Sequence, residues 1–168
     1  MCHSTIRIRT HVPDYSYVPD CEYDWEYSVY GNVKETIPDD IPEPLRHGVT
    51  LKTYVDANLY HDMITGRSVT GILHLINGTP FEWYSKKQST VETATYGSEF
   101  VAARIAIDQI IDHRMTLRYL GVPIEEKTFM FGDNKPVVDG SMTPHAQLHK
   151  RHTALAFHVL GKQLLQKL

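Results

Sequence analysis

Three carboxylates stand where their residue type needs a reason. Asp56 follows Tyr54 and Val55 in the run LKTYVDAN, and Asp133 closes the apolar run TFMFG. Aspartate is depleted in strands because its short charged side chain neither packs nor tolerates burial. Glu99 lies between Ser98 and Phe100 in the first turns of a long helical pattern. Each acid alone also fits a plainer role, as a strand-end cap for the aspartates and helix-dipole compensation for Glu99. Brought together, the three would repel one another and raise each other's pKa unless a divalent cation neutralised them. Carboxylate oxygens are hard ligands and suit magnesium or manganese rather than zinc. Two such ions about 4 Å apart are a standard device for phosphodiester hydrolysis, one activating water and the other stabilising the leaving oxygen.

The elements that must position these acids are legible in the periodicity. LKTYVDAN, residues 51–58, reads as a first strand. SVTGILHLI and PFEWYSKK flank Asn77, Gly78 and Thr79, and an Asn-Gly pair between two such runs is a strong hairpin signal. From about Tyr96 the period changes to that of a helix through Phe100, Ala103, Ile107, Ile110, Ile111, Leu117 and Leu120, with Gly121 and Pro123 as stop signals. KTFMFGDN, residues 127–134, reads as a buried strand, PVVDGSM as a short helix opened by Pro136, and QLHKRHTALAFHVLGKQLLQKL as a final amphipathic helix. The sum is an α/β pattern of three antiparallel strands, a helix and a fourth strand, which a helical crossover brings in parallel to an earlier one. A fourth strand beside the first would join Asp56 to Asp133.

Composition narrows the classes. The chain has 168 residues, 42% hydrophobic and 22% charged, with 10 Gly and 9 Pro, which suits one globular domain with an appended segment and excludes collagen-like, disordered and repeat architectures. Residues 1–48 hold five of the prolines and nine acids against four bases, and IPDDIPEP has the turn chemistry of a linker. They read as an acidic lead-in, with the alternating Tyr23, Trp25, Tyr27 and Tyr30 suited to one short strand, and a domain is expected over 49–168. No stretch approaches a membrane span, and the first residues lack the apolar block of a secretory signal. Cys2 and Cys21 form no CxxC pair, so a reducing, intracellular compartment, cytoplasmic or nuclear, is the expectation. From Pro144 onward there are four bases, Lys150, Arg151, Lys162 and Lys167, and no acid, a pattern open to a phosphate-facing surface or to a solvated helix face. His145, His149, His152 and His158 lack the further ligands that a zinc site needs and add pH-dependent charge beside Lys150 and Arg151 or pad the helix. GxSxG elbows, phosphate loops and dinucleotide fingerprints are absent.

The words TYVDAN, TGRSVTGILHLINGTPFEWYSKKQSTVETATYGSEFVAA, MFGDNKPVV and LHKRHTALAFH, in that order and spacing, resemble the ribonuclease H domain of copia-type retrotransposon polyproteins. The likeness covers about residues 50–160, and YDWEYSVYG and IPDDIPEP resemble the segment that joins reverse transcriptase to ribonuclease H there. It implies a ribonuclease-H-like mixed sheet with flanking helices. It also implies that Asp56, Glu99 and Asp133 are the first three metal-binding acids, with Mg2+ or Mn2+ as cofactor. The implied partners are an RNA/DNA hybrid and the reverse transcriptase domain of the same polyprotein, with no membrane. The family's fourth acid lies in an Ala-Asp-x-Leu motif in a final helix beyond one further strand, and the sequence reaches Leu168 before either. Asp139 is a poor substitute from its place in the short helix after Asp133. The expected site is one ligand short, which weakens the second ion and leaves two outcomes: slow or manganese-dependent cleavage of the RNA strand, or an inactive remnant or nucleic-acid-binding module that keeps the fold. A DNA-joining or junction-cutting enzyme would share the acids but not the words SKKQ and GDN. Substrate contacts are expected from Arg67, Ser68 and Thr70 at the start of the second strand, from Lys86, Lys87 and Gln88 at the end of the third, and from Asn134, positioning phosphates without reading bases.

Overall fold

The computed structural model describes residues 37–45, 47–125 and 128–137. In chain order they form β1 (Leu51–Asp62), β2 (Arg67–Ile76), β3 (Thr79–Lys87), α1 (Thr95–Tyr119) and β4 (Phe129–Phe131). The lead-in before residue 37, the expected final helix and its histidines and bases lie outside the described residues, as does Asp139.

The hairpin forms where the Asn-Gly pair predicts it. Asn77 and Gly78 take φ of 48° and 77°, the left-handed pair a two-residue turn requires. Asn77 is buried because its Oδ1 accepts hydrogen bonds from the Thr50 backbone N–H (2.8 Å) and hydroxyl (3.1 Å), tying the turn to the start of β1. β1 pairs antiparallel with β2, β2 with β3, and β1 parallel with β4, so the sheet order is β3-β2-β1-β4. The mixed α/β sheet is therefore as expected, with two differences in extent. β1 runs on to Asp62, because its pairing with β2, regular to Asn58 opposite Val69, resumes after an irregularity at Asp62 opposite Arg67. β4 is only three residues long: Lys52, Thr53 and Tyr54 pair with Phe129, Met130 and Phe131 before the chain turns away through Gly132.

Alternation decides what is buried. Odd positions of β1 and even positions of β2 face α1, where Ala102 and Ala106, both small, let the helix approach Val55, Ala57 and Ile72 closely. A second cluster joins Phe100, Ala103, Ile107 and Ile110 of α1 to Val137. At the other end of the helix, Gly121 stops it with φ of 71°, and its carbonyl accepts a hydrogen bond from the Leu45 N–H (2.6 Å). Val49 N–H donates to Pro123 O (2.9 Å), so the end of the proline-rich lead-in lies against this turn. Among the described residues no helix is long and apolar enough to cross a membrane.

Between sheet and helix lies a polar core group. The Thr53 hydroxyl and His74 Nδ1 are 2.9 Å apart, and His74 Nε2 is 3.1 Å from Gln109 Oε1. The His113 ring meets His74 edge-on at 4.5 Å, with its Nε2 3.2 Å from Glu82. Burial pushes both imidazoles below their ordinary pKa, more than Gln109 and Glu82 oppose it. Replacing His74 by alanine opens a cavity and strips Thr53 and Gln109 of their partner, a loss of about 2–4 kcal/mol readable by chemical denaturation.

Candidate metal centre

Asp56 occupies the sheet face that α1 leaves open, opposite Gly71 of β2. The parallel register sets Tyr54 beside Phe131, the last residue of β4, and two residues on in each segment Asp133, just past the strand's end, comes to Asp56. Glu99, in the second turn of α1, reaches them from the helix side and is only 6% accessible. One carboxylate oxygen from each of Asp56, Glu99 and Asp133 lies within 4.8 Å of the others. Oxygens on opposite sides of a magnesium ion stand about 4.2 Å apart, given ligand distances of about 2.1 Å, so the three must draw together by about half an ångström to share one cation.

Electrostatics agrees with the geometry. The Glu99 pKa is pushed up to about 7, first by burial, then by Asp56 and Asp133, while a hydrogen bond from the Ala57 backbone N–H works in the opposite direction. Three acids held this close are the pattern a divalent ion relieves, and the all-carboxylate donor set suits magnesium or manganese.

The expected substrate contacts are placed unevenly. Arg67 and Lys86 are exposed at the sheet's rim. Lys87 is exposed too, but its ammonium is 2.8 Å from Asp62. Ser68, Thr70 and Gln88 do not reach the surface. The even positions of β2 face α1, which buries Ser68 and Thr70, and Gln88 turns inward to donate from Nε2 to Thr70 Oγ1 (3.0 Å) and Ser98 O (2.8 Å). Position at the strand ends predicts all three at the rim; the parity of β2 and the inward hydrogen bonds of Gln88 correct that reading. The amide of Gln88 instead ties the end of β3 to the turn of α1 that carries Glu99. Gln88→Ala should lower stability by about 1–3 kcal/mol in urea unfolding. Asn134 is half-buried, and its Oδ1 accepts from the Val137 N–H (3.2 Å), fastening the turn after Asp133.

A trough of about 650 Å3 on the open sheet face begins at Asp56 and Asp133 and runs between Tyr54, Phe131 and Trp83, floored in part by Gly71. Trp83 is 71% accessible, and Lys52 Nζ lies 4.8 Å from the centres of the Tyr54 and Phe131 rings. These aromatics beside the acids were not singled out from sequence. The only available signal was their alternation, which names a face but not what lies next to it.

No protein-family model matches the chain. It is similar to the retrovirus-related Pol polyprotein from transposon TNT 1-94 of Nicotiana tabacum, 28% identical over 108 residues, which cover 64% of this chain and 8% of that polyprotein. This likeness supports an origin in a retrotransposon polyprotein.

Proposed function

We propose that the chain is a ribonuclease-H-like domain of a copia-type retrotransposon polyprotein and hydrolyses the RNA strand of RNA/DNA hybrids with magnesium or manganese. The observation that carries this is the meeting of Asp56, Glu99 and Asp133 within 4.8 Å, from two strands and a helix far apart in sequence. Asp56 and Asp133, open to solvent, would hold the ions. Glu99, aimed by the Ala57 N–H, would hold one from the buried side and align the attacking water. The bound ions would supply Lewis acidity at the phosphodiester and a water of lowered pKa. Because water is the nucleophile, no side chain forms a covalent intermediate. Arg67 and Lys86 at the rim would position phosphates without reading bases, and the hybrid would be recognised by its minor-groove shape and the 2'-hydroxyls of one strand. The reverse transcriptase domain of the same polyprotein is the proposed covalent neighbour.

The test is incubation with an end-labelled hybrid in magnesium and, separately, in manganese. RNA-strand products in either support the reading. A chain inert in both is the inactive remnant instead.

A further inference from the structure

The connection between β1 and β2 presents two of the most exposed apolar side chains among the described residues. Met63 is 88% and Ile64 95% accessible. The segment beneath them is tightly bonded. Asp62 accepts from the backbone N–H groups of Ile64 (3.1 Å) and Thr65 (3.4 Å), from the Thr65 hydroxyl (2.7 Å) and from Lys87 Nζ (2.8 Å). The Gly66 N–H donates to Asp62 O (2.7 Å), with Gly66 and Tyr60 both at positive φ. A Cβ at Gly66 would sit tightly against the Tyr60 ring (3.3 Å) and touch Val91 (3.4 Å), so the base of the tip is packed as well as bonded. Two large apolar groups are thus held out into water on a fixed support, at a solvation cost that a bound partner would remove.

The charges around the tip indicate the partner. Asp62 is the single acid between Asp56 and Glu82, and Lys87 and the surrounding donors hold its carboxyl far below the usual range, so the ion pair with Lys87 neutralises it. Arg67 follows the tip directly and Lys86 stands on β3, both exposed. An apolar tip flanked by cations suits a nucleic-acid duplex, where apolar side chains meet sugars and base steps while cations meet the phosphates on either side. The wide, shallow minor groove of an A-like helix admits such a tip, whereas its deep, narrow major groove does not. Met63 stands seven residues beyond Asp56 on one chain, at most about 23 Å of extended backbone, which is within one turn of a duplex.

We infer that Met63 and Ile64 form an apolar wedge that seats in the minor groove of the hybrid whose phosphodiester lies at Asp56, Glu99 and Asp133. The inference rests on the nuclease reading for its ligand, and its contact lies away from the acids.

The experiment measures fluorescence anisotropy of a labelled 18-base-pair RNA/DNA hybrid with the full chain carrying Asp133→Asn, so that the probe stays intact, and with the same chain also carrying Met63→Ser and Ile64→Ser. The expected result is a Kd about tenfold weaker, with an unchanged salt slope because no phosphate contact is lost, and an unchanged melting temperature because both side chains are exposed. An unchanged Kd overturns the wedge. So does an unchanged Kd accompanied by loss of self-association in size-exclusion chromatography, which would assign the tip to a protein interface. Cleavage by the chain that retains Asp133, assayed in parallel, separates the two claims. Cleavage with no effect of the serines leaves the nuclease reading standing without the wedge, and weakened binding without cleavage does the reverse. A chain that binds no hybrid overturns the wedge outright.

Discussion

Asp133→Asn should reduce RNA-strand cleavage by at least about a hundredfold while leaving the protein folded. Asparagine keeps the shape of the side chain and one oxygen but removes the negative charge that holds a divalent ion. Groups that merely orient metal ligands cost about 10–100-fold when lost, and a ligand itself should cost more. A second readout shows that the effect is local. Asp133 is one of the causes that raise the Glu99 pKa, so in the variant that pKa should fall toward the ordinary range. With chelator present, the variant should melt no lower than the unsubstituted chain, because one like charge has left a repulsive cluster. Cleavage at the unsubstituted rate in magnesium would remove Asp133 from the site.

The second large effect is a reversal of pH dependence on adding metal. Folded, Glu99 keeps its proton up to about pH 7, whereas unfolded it releases it near 4.5. The folded chain binds more protons across that interval, so this group's contribution is fully present below about 4.5 and is lost as pH rises through about 7. Glu99→Gln mimics the neutral carboxyl. In EDTA it should match the unsubstituted chain near pH 4.5 and exceed its stability at pH 8 by on the order of 1 kcal/mol, a figure discounted for the solvent-exposed acids around it. The comparison must be a difference between the two proteins, because His74 and His113 act in the opposite sense. Their folded pKa values lie below 6.5, so stability from them is lost as pH falls below that value. Magnesium or manganese should then stabilise the unsubstituted chain more at pH 8 than at pH 5.5, since proton and metal compete for the same carboxylate, and should do little for Glu99→Gln. Thermal melts with and without metal at the two pH values measure this directly. Equal metal stabilisation of both proteins would place the ion elsewhere.

Much of the sheet was legible because its determinants are local. The Asn77-Gly78 turn needs only two residues that accept positive φ, and the helix from Thr95 to Tyr119 needs only an apolar period and a glycine to stop it. The candidate acids stood out for a local reason too: Asp56 and Asp133 sit at the ends of apolar runs where a carboxylate has nothing to pack against. The rim contacts were harder to read. Ser68 and Gln88 lie one residue from the cations Arg67 and Lys87, yet they are buried, because a strand sends successive side chains to opposite faces and sequence position does not say which face the helix covers.

What the residues determined by themselves is the order of the four strands and the long helix, and the three acids that demanded an explanation. Only the tertiary structure decided that the strand beside β4 is β1, that Glu99 reaches those aspartates from a buried helix turn, and that Met63 and Ile64 stand on a bonded tip beyond them. The division has one physical cause. Turns and periods are set by neighbours along the chain, whereas convergence and exposure depend on which distant surfaces exclude water from one another.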